Sequence, residues 1–181
     1  MIQRGEIVIV TGAPGSGKTT CCAQRITQAQ AAGWDVAGVL SPARFVGEKK
    51  VGIDGVDLRS GARRALAARR TTDEAAGAVG IVTQRWRFDD AALAWGHAVL
   101  AHATPCDLLV VDELGPLEWL QGQGWQAGLA AIDTRAFVTA LVVVRPSLLE
   151  LALARWPAAT VLTLTGVPLG GGNPLRSSPP A

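Results

Sequence analysis

The sequence contains no tyrosine, a single methionine and only three cysteines among its 181 residues. Cys21 and Cys22 are adjacent and Cys106 is distant, so no C-x-x-C pair is present to suggest a zinc or dithiol redox site. Free thiols are typical of a reducing compartment. No apolar run approaches the roughly 20 residues of a membrane span, and no signal-peptide pattern begins the chain. These absences predict a cytoplasmic protein with no membrane partner.

Charge is also scarce. Charged residues make up 18% of the sequence and the formal net charge is +2, too little to indicate a nucleic-acid-binding surface. Hydrophobic residues make up 49%, which argues against disorder over most of the chain. The length suffices for one α/β core but not comfortably for two. We expect one domain over residues 1–168 and a flexible tail rich in Gly, Pro and Ser over residues 169–181.

Apolar runs alternate with helical patterns along most of the chain. The runs predict strands at residues 7–10, 36–40, 108–111, 137–144 and 161–164. Helices are predicted at residues 18–32, 91–103, 126–134 and 146–155. Residues 50–66 interleave apolar positions with Gly and Asp around a Ser60-Gly61 turn, which predicts a β-hairpin projecting from the main sheet. The alternation specifies an α/β fold whose parallel sheet binds ligands at the carboxyl ends of its strands.

Residues 12–19 match the pattern G-x-x-x-x-G-K-[ST] without a mismatch, between a predicted strand and a predicted helix. In such a loop the backbone N–H groups turn toward phosphates, and glycines leave room for that approach. The helix N-terminus adds positive potential, Lys18 reaches the β- and γ-phosphates as a catalytic candidate, and the Thr19 hydroxyl binds Mg²⁺. The predicted nucleotide-binding residues are Gly12, Ala13, Pro14, Gly15, Ser16, Gly17, Lys18, Thr19 and Thr20.

Two acidic residues, Asp112 and Glu113, follow four apolar residues at the end of a predicted strand. An aspartate at the tip of a buried strand can hold Mg²⁺, and a following glutamate can orient and deprotonate a water. We therefore predict Thr19 and Asp112 as metal ligands and Glu113 as the catalytic base. Arg44 and Arg145 lie at the ends of predicted strands and are candidates to stabilise charge on the transferred phosphoryl group, the alternative being salt bridges or solvated loops.

With these motifs, the chain resembles the small P-loop nucleoside-triphosphatases of the cancer-related type, found in thermophiles and in animals. Besides the phosphate loop, two segments carry the resemblance: residues 37–42 with the hairpin sequence at 51–61, and residues 110–118, which are similar to the family signature Asp-Glu-Ile-Gly-Pro-Met-Glu. Ser41 and Ala43 depart from the family pattern, which indicates a divergent branch. The resemblance implies a three-layer fold with a mainly parallel sheet and an inserted β-hairpin. It also implies Mg²⁺-dependent hydrolysis of ATP, GTP and other nucleoside triphosphates, with loose base selectivity.

Two other functions fit the same residues. A small-molecule or nucleoside kinase would use the hairpin and the loop around residues 71–90 as a lid over an acceptor. A nucleotide-operated protein-binding module would use slow hydrolysis to time contact with a partner that the sequence does not identify. Glu113 directly after Asp112 is the feature that favours water as the acceptor.

Overall fold

The computed structural model describes residues 5–70 and 86–166, which form a nine-stranded sheet with helices on its faces. The strands are β1 (Glu6–Gly12), β2 (Val36–Leu40), β3 (Ala43–Val46), β4 (Lys49–Asp57), β5 (Arg63–Arg69), β6 (Trp86–Phe88), β7 (Leu108–Leu114), β8 (Thr139–Val144) and β9 (Thr160–Leu164). The helices are α1 (Lys18–Ala31), α2 (Asp90–Ala101), α3 (Pro116–Leu120), α4 (Gln126–Asp133) and α5 (Leu149–Arg155), with a 3₁₀ turn at Pro146–Leu148.

Five strands form a parallel half of the sheet, in the order β2-β7-β8-β1-β9. Their short, β-branched sequences suit this position, because a parallel strand is covered by helices on both faces. All five predicted strands are present, and β7 continues three residues beyond the predicted end to Leu114. The predicted α/β class with a mainly parallel sheet is confirmed.

Helices cover both faces of the parallel half, giving three layers. On one face α1 buries Cys22 and Ile26 against the sheet. Because successive strand residues point to opposite faces, the alternate residues of the same strands form a second, larger cluster under α2, α4 and α5. The strand residues in that second cluster include Ile7, Ile9, Ala37, Val39, Leu109, Val111, Ala140, Val142 and Val144.

The predicted hairpin forms β4 and β5, but it extends the main sheet instead of projecting from it. β4 pairs antiparallel with β2 through Leu40–Val56 and Val39–Asp57. An uncovered edge of β2 would leave backbone N–H and C=O groups unpaired, and β4 satisfies them. The predicted turn is confirmed, since the Gly61 N–H donates to the Asp57 carbonyl over 2.8 Å. Strands β3 to β6 are called the antiparallel extension below.

Three short elements, β3, β6 and α3, have patterns too weak to predict. β3 pairs with β4, and β6 pairs with β5, so both exist through their neighbours in the extension. Residues 71–85 of the loop considered as a lid and the tail predicted at residues 169–181 lie outside the described residues, and the domain limit at residue 168 stays a prediction. Along residues 5–70 and 86–166, no helix is both long enough and apolar enough to cross a membrane.

Candidate functional site

The phosphate-loop sequence joins the carboxyl end of β1 to the N-terminus of α1. Gly12 has a φ of +146°, and a Cβ there would lie 2.4 Å from the Leu164 carbonyl oxygen and 2.6 Å from Ser16 Oγ. Only glycine fits this close approach. Gly17 adopts a left-handed conformation, after which Lys18 begins α1. The positive end of the α1 dipole therefore lies at the loop.

Lys18 closes over its own loop. Its ammonium donates hydrogen bonds to the carbonyl oxygens of Gly12 (2.8 Å) and Ala13 (2.9 Å). These acceptors are neutral, whereas hydrogen bonds between two charged groups are shorter and stronger. An incoming phosphate would therefore compete well for the same ammonium.

A cavity of about 160 Å³ opens beside the loop, between it and the residues that follow β9. Its lining comprises Ala13, Pro14, Gly15, Ser16, Leu164, Thr165 and Gly166. Around the loop, the hydroxyls of Thr11, Ser16 and Ser41 are buried without a hydrogen-bond partner in the described part of the chain. Buried polar groups are normally satisfied, so each of these hydroxyls marks a place for a ligand atom or water.

Asp112 lies in β7 with only 2% of its surface exposed. Its Oδ2 accepts a hydrogen bond from the Ser41 backbone N–H over 3.1 Å. Burial raises the pKa of Asp112 from 3.8 to about 6, against the opposing effect of hydrogen bonds from Ser41 and the Thr19 side chain. The fold thus brings the Thr19 side chain close enough to Asp112 to affect its pKa, although the two residues are far apart in the sequence.

Glu113 is placed by an irregularity in β7. The register of β7 against β8 shifts between Val111 and Leu114, and such bulges redirect side chains next to many active sites. The Glu113 carboxylate accepts a hydrogen bond from Arg145 Nε, and both side chains remain partly exposed. Arg145 directly follows β8, as predicted, so neighbouring parallel strands bring the acid and the arginine together.

Arg44 occupies a different position from the one predicted. It lies inside β3 instead of at the end of β2, because the chain turns at residues 41–42 and starts a further strand. Its guanidinium is 3.5 Å from the carboxylate of Asp54, and Arg63 approaches the other carboxylate oxygen at 3.6 Å. The structure therefore places Arg44 in an ion-pair cluster of the antiparallel extension.

Glu118, the last residue of the signature-like segment, supports the loop after β7. One carboxylate oxygen accepts from the Gly115 N–H and the other from the Trp125 N–H, each over 2.8 Å. Burial raises the pKa of Glu118, and these hydrogen bonds oppose the shift. Glu118 therefore caps α3 locally and ties it to the start of α4.

No sequence motif marks Lys50, yet its ammonium lies within electrostatic range of Glu113 and Asp112. Burial lowers its pKa, and the carboxylates of Glu113 and Asp112 oppose that shift. A lysine in a Gly- and Lys-rich stretch resembles a solvated loop residue, so only the folded chain reveals this placement.

A family model described as NTPase matches residues 7–150, which include the phosphate loop, the antiparallel extension and β7. This chain belongs to the NTPase family. The resemblance inferred from the three sequence segments is thereby confirmed.

Among curated NTPase relatives, nucleoside-triphosphatase THEP1 of Methanothermobacter thermautotrophicus is 31% identical over 111 residues, covering 61% of each chain. The THEP1 of Methanopyrus kandleri is 32% identical over 111 residues, covering 61% of this chain and 58% of its own length. The chain therefore spans less than two thirds of these relatives.

Two solved structures share the NTPase fold. The human cancer-related nucleoside triphosphatase superimposes with a TM-score of 0.67 at 24% identity, covering 88% of this chain and 89% of its own. THEP1 from Aquifex aeolicus superimposes with a TM-score of 0.60 at 16% identity, covering 88% and 90%. At these identities the superpositions establish the three-layer fold.

Proposed function

We propose that this chain is a nucleoside-triphosphate phosphohydrolase. It catalyses attack of water on the γ-phosphate of ATP, GTP and other nucleoside triphosphates, with loose base selectivity, and releases the diphosphate and phosphate. The observation that carries the proposal is the proximity of Thr19, at the end of the phosphate loop, to buried Asp112, with Glu113 one residue further. The names of the curated relatives support the same activity.

Residues 12–20 bind the triphosphate. The loop after β1 supplies backbone N–H groups, and the N-terminus of α1 adds positive potential. Lys18 exchanges the carbonyls of Gly12 and Ala13 for phosphate oxygens, which form stronger hydrogen bonds with an ammonium.

Thr19 and Asp112 would hold Mg²⁺. A hydroxyl and a carboxylate are oxygen ligands that suit this ion, and the two side chains are close to each other. No group of three His, Cys, Asp or Glu side chains that could hold a metal occurs in the regions with described structure. Mg²⁺ usually keeps several waters and binds through one or two carboxylates plus substrate phosphates. When bound, the ion neutralises negative charge on the phosphates.

Glu113 acts as the base. It accepts a proton from the attacking water while the new oxygen–phosphorus bond forms and the bond from the γ-phosphorus to the bridging oxygen breaks. The nucleoside diphosphate leaves with the electron pair of that bond. Arg145 is a positioning residue, because its hydrogen bond to Glu113 fixes the direction of the carboxylate.

A cytoplasmic location is part of the proposal. Cys21, Cys22 and Cys106 are all buried and free, a state that suits a reducing compartment.

Phosphate release measured across NTPs and dNTPs, with and without Mg²⁺ and with no added acceptor, tests the activity. We expect release only with the metal. Strict dependence on an added acceptor would instead indicate a kinase. Nucleotide binding without useful turnover would indicate a nucleotide-operated binding module.

Two variants separate binding from chemistry. Glu113→Gln keeps the size of the side chain but removes the base, so kcat should fall about 10²-fold to 10⁴-fold with nucleotide affinity retained. Lys18→Ala should lose most nucleotide affinity. Normal turnover by Glu113→Gln would show that the base is assigned wrongly.

A further inference from the structure

The β3–β4 hairpin extends past the carboxyl edge of the parallel half. β2 ends at Leu40, where it pairs with Val56 of β4, and the Asp54 N–H still contacts the Pro42 carbonyl over 3.0 Å. Because β4 runs antiparallel to β2, its earlier residues continue beyond the end of β2. The phosphate loop and the acids of β7 also lie at that edge. The start of β4 therefore lies at the same edge of the sheet as the candidate site, namely the edge formed by the carboxyl ends of the parallel strands.

Lys50 is the second residue of β4, in the part of the strand that continues beyond the end of β2. It is half-buried, whereas the adjacent Lys49 is exposed, as expected when successive strand residues point to opposite faces. The Lys50 ammonium lies 4.9 Å from the centroid of the Trp86 ring. An aromatic face at this distance attracts a cation and fixes its position.

The ammonium of Lys50 also lies within electrostatic range of four charged residues at the carboxyl edge of the sheet. Glu113 and Asp112 attract it, while Arg145 and Lys18 repel it. None of the ion pairs found among the described residues involves Lys50. Because the Lys50 ammonium is partly desolvated and no carboxylate of residues 5–70 or 86–166 is within ion-pair distance of it, an anion bound next to it would offset part of its desolvation.

We propose that Lys50 contacts the terminal phosphate of the bound triphosphate and acts as a second catalytic cation beside Lys18. This inference rests on the proposed function, because it names a further residue for the same reaction. The extra charge of a triphosphate, relative to a diphosphate, lies on the γ-phosphate. Lys50 should therefore favour a triphosphate over a diphosphate, and it should stabilise charge that grows as the phosphoryl group is transferred.

Three variants test Lys50. Lys50→Met keeps the length of the side chain without its charge, Lys50→Arg keeps the charge, and Lys49→Met is the matched control on the exposed neighbour. We expect Lys50→Met to lower kcat about 10²-fold, as removal of one preorganised electrostatic contact does. The kcat of Lys50→Arg should be at least about tenfold higher than that of Lys50→Met, because arginine restores a cation at the position. Lys49→Met should match the wild-type protein.

Binding provides a second readout that does not need turnover. The affinities for a non-hydrolysable triphosphate analogue and for ADP are measured for each variant with Mg²⁺ present. Lys50→Met should weaken analogue binding about tenfold, the loss of one charge-assisted contact, while ADP binding changes less than about twofold. If wild-type protein released no phosphate, the proposed function would fail. The ratio of the affinity for the triphosphate analogue to the affinity for ADP would still test Lys50.

Wild-type kcat together with an unchanged affinity ratio in Lys50→Met would overturn the inference. An equal loss of analogue and ADP affinity would also overturn it, because it would indicate a general packing role. If Lys50→Met does not fold, as judged by circular dichroism and thermal melting, Lys50→Gln replaces it and the same outcomes apply.

Discussion

The parallel half and the antiparallel extension differ in how deeply their strands are buried. Strands β1, β7 and β8 are buried along nearly their whole length. In the extension, Leu66 packs toward α2, whereas Phe45 and Val46 of β3 are 57% and 70% exposed. The difference separates two roles: the parallel half holds the phosphate loop and the acids in a packed frame, and the extension brings a charged side chain to them from a less buried element.

Replacing one glycine by alanine in each region should give the largest difference between them in the free energy of unfolding. Gly38 of β2 has a φ of +109°, and a Cβ there would lie 2.0 Å from the Val110 carbonyl oxygen. Gly61, in the turn between β4 and β5, has a φ of +72° and nothing within 4 Å of a Cβ. Gly38→Ala should lower the free energy of unfolding by about 4 kcal/mol or more. Gly61→Ala should cost only about 1 kcal/mol, from its backbone conformation.

Urea unfolding of both glycine variants measures this contrast. A soluble, cooperatively folded Gly38→Ala with nearly wild-type stability would show that β2 and β7 can separate without penalty. The distinction between a packed parallel half and a tolerant extension would then be wrong.

The second contrast concerns the free-energy cost of burying the Asp112 carboxylate in the parallel half. Its folded-state pKa of about 6 lies above the ordinary 3.8, so the ionised carboxylate destabilises the nucleotide-free protein above pH 6. Stability should rise as the pH falls through 6 toward 3.8, because only the folded state then binds the extra proton. Asp112→Asn should raise the free energy of unfolding at pH 8 by about 2 to 3 kcal/mol and remove that pH dependence.

Denaturation of Asp112→Asn and wild type at pH 5 and pH 8, without nucleotide, shows whether the substitution and the lower pH raise the free energy of unfolding as expected. Added Mg²⁺ and ATP should stabilise wild type more than the variant, because the variant lacks a metal ligand. Equal stability of the two proteins at pH 8 would contradict a burial penalty at this carboxylate.

The smallest effect is expected for Arg44, on the outer part of the extension. Its guanidinium is substantially exposed and pairs with Asp54, which retains Arg63 as a second partner. Arg44→Met should change kcat less than twofold and the free energy of unfolding by less than about 1 kcal/mol. Phosphate release and urea unfolding, with Lys50→Met as the paired variant, measure whether Arg44 and Lys50 differ in their effects on kcat and on stability. A large loss of kcat in Arg44→Met would restore Arg44 as a phosphoryl-contacting candidate.

Much of the parallel half is predictable because its signals are local. A buried parallel strand is a short apolar run, and the phosphate loop is a fixed spacing of glycines with one lysine and one threonine. The start of α2 is equally local, since Asp89 accepts a hydrogen bond from the Ala92 N–H over 2.7 Å. By contrast, β6 has three residues and α3 has five, and such short elements depend on neighbouring strands or on the Glu118 cap.

The amino-acid sequence by itself determined the α/β class, the phosphate loop and the placement of two acids at the end of a strand, since each is encoded in a continuous stretch of residues. Only the tertiary structure decided which distant side chains meet: Thr19 with Asp112, Arg145 with Glu113, Arg44 with Asp54, and Lys50 with Trp86. Strand order and register set these contacts, and they depend on pairing between segments that no local pattern describes.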